Sequence, residues 1–151
     1  MTRWPIPDPM ARALELAREA AAAGEVPIGA VVTRDGRIVG EGRNSPRALR
    51  DPTAHAEVLA IRAAAQALGQ ERLTACDLHV TLEPCAMCAG AIAHARIARL
   101  YYAAPDPKGG AVAHGARVFE HAQCLHRPEV YAGLGETEAA DLLREFFRER
   151  R

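Results

Sequence analysis

The chain has 151 residues, the size of one domain. Apolar residues make up 49% and charged residues 25%, ordinary globular usage that excludes disordered and fibrous classes. Lys+Arg 19 against Asp+Glu 19 leaves no net charge, so a polyanionic partner must meet a local basic patch rather than a basic coat.

No apolar run approaches the roughly 20 residues that span a bilayer. Residues 1–9 lack a basic region followed by an apolar stretch, so no signal peptide is expected and the chain reads as cytoplasmic. Cys76, Cys85, Cys88 and Cys124 are then expected to stay reduced.

Asp8-Pro9 reads as an N-cap with proline at the first helical position, opening a helix to about residue 23 that stops at Gly24. Residues 28–33 read as a strand, Asp35-Gly36 as a hairpin turn and residues 37–42 as the partner strand. Asn44-Ser45-Pro46 begins a loop. Asp51-Pro52 starts a second helix, apolar at Val58, Leu59, Ile61 and Leu68 and closed by Gly69. Leu78, Val80 and Leu82 alternate with His79 and Thr81, the period of a strand. Pro84 opens a third helix to about residue 95, followed by a strand over 100–103 and a loop over 105–110. A short strand over 129–132 and a last helix over 136–151, carrying Leu142, Leu143, Phe146 and Phe147, complete the chain. A hairpin followed by helix, strand, helix and strand predicts a single α/β domain of three layers, residues 1–151.

Two short motifs carry chemistry. His55-Ala56-Glu57 falls in the first turn of the second helix, and Pro84-Cys85-Ala86-Met87-Cys88 falls where a strand runs into the third. Cys85 and Cys88 are three residues apart, so both thiols share one helical face, and a helix N-terminus favours thiolates there. Two thiolates and an imidazole supply three ligands to a tetrahedral Zn²⁺ and leave the fourth position for water, the layout of a catalytic site. Glu57 can then sit over the open position and move protons. His-x-Glu alone carries little, and Cys-x-x-Cys alone also fits a redox pair or half of a structural zinc site. The two motifs in this order, each at a helix start, match the zinc deaminase signature.

The segments Asp51-Pro52-Thr53-Ala54-His55-Ala56-Glu57 and Thr81-Leu82-Glu83-Pro84-Cys85-Ala86-Met87-Cys88-Ala89-Gly90-Ala91 resemble the bacterial tRNA-specific adenosine deaminases. So do Gly24-Glu25-Val26-Pro27-Ile28-Gly29-Ala30-Val31 and the ending Phe146-Phe147-Arg148, so the resemblance covers nearly the whole chain. The core motifs are shared with cytosine, guanine and other base deaminases; Asp106-Pro107-Lys108-Gly109-Gly110 and the tail discriminate further. The resemblance implies a cytidine-deaminase-like α/β/α fold, a five-stranded mixed sheet with helices on both faces. It also implies a homodimer, one Zn²⁺ per subunit, and hydrolysis of adenosine to inosine at the wobble position of a tRNA anticodon. On the matching positions His55, Cys85 and Cys88 would hold the zinc. Glu57 would shuttle protons as zinc-bound hydroxide attacks adenine C6. Asn44 would hydrogen-bond the flipped-out adenine, Asp106 and Lys108 would lie along the RNA, and Ala56, Pro84, Phe147 and Arg148 would complete the substrate contacts. After Gly110 the family commonly has a small residue and then Gly-Ser, where this chain has Ala111-Val112-Ala113-His114.

Plainer readings stand beside these. Asn44 and Asp106 also suit turns, and Lys108, the only lysine in the chain, also suits a solvated loop. Of Phe146 and Phe147, adjacent on a helix, one is expected to pack and the other is free to stack on a base. His79 alternates with apolar strand residues and reads as solvent-facing or packed; His94, His114, His121 and His126 have no ligand spacing and read as structural. Cys76 and Cys124 read as buried or idle thiols. Residues 34–50 carry five arginines against Asp35 and Glu41, net +3, and residues 142–151 carry net +2. These basic segments are expected to flank the pocket mouth; a solvated face is the alternative. Two other functions compete: a zinc deaminase of a free base or nucleoside, and a zinc-stabilised RNA-binding protein without turnover. Glu57 speaks against the second, because a structural site needs no proton shuttle.

Overall fold

The computed structural model of the protein describes residues 5–150. A five-stranded mixed sheet has the order β2-β1-β3-β4-β5, with β1 Gly29–Arg34, β2 Arg37–Arg43, β3 Cys76–Leu82, β4 Arg99–Ala104 and β5 Glu129–Ala132. Strand β1 runs antiparallel to both β2 and β3, while β3, β4 and β5 are parallel. Helix α1 (Asp8–Ala22) and helix α5 (Glu136–Arg148) cover one face; α3 (Ala56–Leu68) and α4 (Ala86–Ala95) cover the other. A single-turn helix α2 (Pro46–Leu49) leads into α3.

The expected hairpin forms, with Asp35 at φ 52° and Gly36 at φ 78°, the doubly left-handed turn that matches strand twist. A bulge between Val32 and Thr33 lets β2 run one residue longer before pairing resumes at Ile38.

The abundance of alanine has a packing reason. Ala56, Ala60 and Ala64 recur every fourth residue along α3 and are fully buried against the sheet. Opposite them the strand is glycine: a Cβ at Gly42 would lie 2.3 Å from the Ala56 carbonyl oxygen, and one at Gly40 would lie 2.5 Å from that of Ala60. Helix α1 touches β1 the same way, since a Cβ at Gly29 would lie 2.0 Å from the Ala13 oxygen. Helix backbone therefore rests on strand backbone, which fixes the start of α3 relative to the sheet with little side-chain play.

Two expectations shift and one alternative is decided. The second helix begins at Ala56 rather than Asp51, because the Asp51 carboxylate closes a turn on Thr53, accepting its N–H at 2.8 Å and its hydroxyl at 2.7 Å. The third helix begins at Ala86, with Cys85 rather than Pro84 at its threshold. Of the two readings of His79, solvent-facing or packed, the structure selects the second: His79 and Thr81 are buried, because α1 and α5 cover the second face of a central strand. Thr81 Oγ1 accepts the Gly29 N–H at 3.2 Å, and His79 stacks on Tyr101 with ring centroids 4.7 Å apart. Tyr101 in turn stacks on Tyr131, so one ladder crosses three strands in register.

Candidate active site

The site lies where β3 ends and two helices begin. His55 is the N-cap of α3 and Cys85 the N-cap of α4, neither using its side chain as a cap. His55 Nδ1 lies 3.7 Å from Cys85 Sγ and 3.5 Å from Cys88 Sγ, and the three donor atoms all lie within 4.8 Å of one another. The hydrogen bond from Cys88 pulls the Cys85 thiol down to about 5 against the opposing effect of burial. Cys88 is pushed up by the same bond and by burial. The donor set fits a soft dication in tetrahedral coordination. Metal–sulfur bonds of about 2.3 Å and a metal–nitrogen bond of about 2.0 Å at tetrahedral angles place the donors roughly 3.6 Å apart.

Glu57, in the first turn of α3, is 4% exposed and sits against Cys88. Burial raises its carboxyl to about 7, so it gains and loses a proton near neutral pH.

Asn44 is 6% exposed, and its side-chain oxygen has no hydrogen-bond partner among the described residues. Its backbone N–H bonds the Ile28 carbonyl at 3.0 Å, and the next amide, Ser45, bonds the carbonyl of Ala54, one residue before His55. That double tie holds Asn44 beside the start of α3. A buried polar atom left unpaired costs about 1–3 kcal/mol, which marks a position awaiting a partner. The turn reading of Asn44 thus gives way to a buried, open amide.

Ala56 and Pro84 are both buried. Ala56 opens α3, where helix geometry leaves its N–H without an intrahelical partner. The Pro84 carbonyl accepts the Ala111 N–H at 2.8 Å and keeps a second lone pair. Asp106 is half-buried and accepts the amides of Lys108 and Gly109 through Oδ1, so it is a turn-former as its plainer reading holds, while Lys108 projects exposed from that turn. Phe146 is 6% exposed under the Arg150 guanidinium, whereas Phe147 is 49% exposed and Arg148 is exposed beside it. Phe147 is therefore the ring free to stack. Met87, between the two cysteines, is exposed at the mouth.

Two buried carboxylates were not singled out by sequence. Glu25 accepts the N–H groups of Arg47 and Ala48 at 3.2 and 2.8 Å and so fixes α2 behind Asn44. Glu83, 2% exposed, accepts the Asp106 amide and His114 Nδ1 on one oxygen, and the amides of Val112, Ala113 and His114 on the other. Burial alone would raise its carboxyl, but these donors outweigh it and hold it below the ordinary value. Backbone donors leave no mark on side-chain spacing; the one available signal was a glutamate lodged between Leu82 and Pro84 at the end of a buried strand.

Comparison with known proteins agrees with this arrangement. Residues 7–151 match the family model of MafB19-like deaminases. A tRNA-specific adenosine deaminase of Agrobacterium fabrum is 58% identical over 94% of this chain and 93% of its own length. A solved structure from a study of A-to-I editing by tRNA:A34 deaminases superposes with a TM-score of 0.88 at 57% identity, covering 89% of this chain and 98% of that one. A guanine deaminase from Nitrosomonas europaea superposes with a TM-score of 0.76 at 28% identity, over 97% of this chain and 86% of that one. No helix among the described residues is long and apolar enough to cross a membrane. By sequence and by fold, the chain belongs to the tRNA-specific adenosine deaminase family.

Proposed function

We propose that the protein hydrolyses adenosine to inosine at the wobble position of a tRNA anticodon, with one Zn²⁺ held by His55, Cys85 and Cys88. The observation that carries this reading is the convergence of those three donors at two helix starts, with the Glu57 carboxyl buried beside them.

Bound there, Zn²⁺ would supply Lewis-acid chemistry that brings the deprotonation of water near pH 7. Glu57 would take one proton from the attacking water and pass it to N1 of the adenine ring as the C6–O bond forms. It would then take the second from the new C6 hydroxyl and pass it to the amine as the C6–N6 bond breaks, so that water plus adenosine become inosine plus ammonia. Asn44 offers its unpaired side-chain oxygen to the base, and the Ala56 N–H and Pro84 carbonyl bound the pocket around it. Asp106, Lys108, Phe147 and Arg148 meet the RNA outside the pocket. An anticodon loop is already single-stranded, so turning the base out costs little. A homodimer in the cytoplasm, where tRNA is found, belongs to the same reading.

The test is inosine formation on an anticodon stem-loop bearing adenosine at the wobble position, with purified zinc-loaded protein and its Glu57→Ala variant. Inosine from the first and none from the second supports the proposal. Turnover surviving in a zinc-bound Glu57→Ala protein overturns the mechanism.

A further inference from the structure

We infer that Glu83 and His114 are positioning residues. The buried Glu83 carboxylate is the template on which the loop 106–114 is ordered, and His114 is the clasp that holds that loop in its substrate-presenting shape.

Five donors converge on the two oxygens of Glu83. The Asp106 N–H at 3.0 Å and His114 Nδ1 at 2.7 Å meet Oε1. The N–H groups of Val112, Ala113 and His114 meet Oε2 at 3.1, 3.0 and 3.2 Å. The first and last residues of the loop thus close on one side chain. Gly110 is required between them, since a Cβ there would lie 2.5 Å from both Glu83 Cδ and the Asp106 carbonyl oxygen. The Ala111 N–H bonds the Pro84 carbonyl, which joins the loop to the residue preceding Cys85. Inside this ring, the Asp106 carboxylate gathers the amides of Lys108 and Gly109 and sets where Lys108 projects.

Four of the five donors are backbone amides, which every non-proline residue provides. His114 Nδ1 is the only side-chain donor, so it is the one contact that sequence can tune. It ends the Ala111-Val112-Ala113-His114 run that follows Gly110. The imidazole is about one-third exposed, on the rim, while the carboxylate it meets has no exposed side-chain surface. The contact therefore ties a side chain at the surface to the buried template. Its consequence for substrate rests on the tRNA reading: a loop held closed presents Asp106 and Lys108 in one geometry and selects a structured RNA.

Lys108 makes this testable without any substrate. It is the only lysine in the chain, so a lysine-specific endoprotease cuts the native protein at this loop alone. Zinc-loaded wild type, His114→Ala, His114→Asn and Glu83→Gln would be digested in parallel, with bound metal measured in each. Cleavage is expected to be about tenfold faster in His114→Ala, the factor that 1.4 kcal/mol represents. His114→Asn, which keeps a donor at the δ position, should return to near the wild-type rate. On the stem-loop, KM should rise by a similar factor in His114→Ala, with kcat affected less and KM restored in His114→Asn. Equal cleavage of wild type and His114→Ala, or no rescue by asparagine, overturns the clasp; should Glu83→Gln fail to fold, the His114 pair decides. If wild type leaves the stem-loop untouched, the tRNA reading fails, while the protease rates still judge the latch.

Discussion

His55 Nδ1 and Cys88 Sγ lie 3.5 Å apart although 33 residues separate them in sequence, and each stands at the start of a different helix. The contact depends on where α3 and α4 begin, and the start of α3 is fixed by backbone-on-backbone packing against the sheet. It follows that the site responds separately to loss of a ligand, loss of the carboxyl and displacement of a helix.

Ligand and carboxyl are separated by metal content. Cys88→Ser is expected to lose most of its zinc, measured by atomic emission, and its activity with it. Glu57→Gln is expected to keep full zinc and lose activity by about 10²–10⁴-fold, the usual contribution of a positioned acid–base group. Zinc loss in Glu57→Gln would make Glu57 part of the metal site rather than the proton path.

Gly42→Ala tests the packing. The new methyl would meet the Ala56 carbonyl oxygen at 2.3 Å, and neither backbone can turn away as a side chain would. Overpacking of this kind costs about 1–3 kcal/mol. A lower Tm is expected, together with weaker zinc retention, because α3 carries His55 at its threshold. An unchanged Tm would mean that α3 is free to slide.

Much of this architecture was legible in the sequence. Asp35-Gly36 announced its turn, β5 occupies the expected residues, and the two motifs named the three side chains that converge. The starts of α3 and α4 were read too early because Asp51-Pro52 and Leu82-Glu83-Pro84 contain residues that serve turns and strand ends as well as caps. Local chemistry could not choose between these, and the Asp51 carboxylate chose the turn. Glu25 and Glu83 were overlooked for a different reason: their partners are amides 22 to 31 residues away, and an amide has no residue type. His79 showed a strand period but not its burial, which depends on α1 and α5 meeting over the same face.

His79 gives the stability a pH dependence. Burial lowers its imidazole from the ordinary 6.5 to about 4, so between these values the unfolded chain binds the extra proton. Stability is then fully present above pH 6.5, falls as pH drops toward 4, and the total is on the order of 3 kcal/mol. His79→Phe, which keeps the stack on Tyr101, should lose that component. The difference between the two proteins in urea unfolding from pH 7 to pH 4 isolates it from the titration of the metal ligands. Parallel curves would contradict the assignment.

Contacts to RNA outside the pocket are read through salt. Each phosphate met in a single-stranded loop contributes about −0.7 to the slope of log K against log salt. Lys108→Ala and Arg148→Ala should each make the slope shallower by about that amount while leaving zinc content unchanged. A slope near zero in the wild type would remove the phosphate contacts from the account, together with the expectation that the basic segments 34–50 and 142–151 flank the mouth.

The most direct measurement is a competition. Zinc-loaded protein would receive the wobble-adenosine stem-loop together with free adenosine, guanine and cytosine, and the products would be resolved by mass. Inosine in the RNA with the free compounds intact is the predicted result. Ammonia drawn only from a free base would contradict it and make the protein a nucleobase deaminase built on the same metal site.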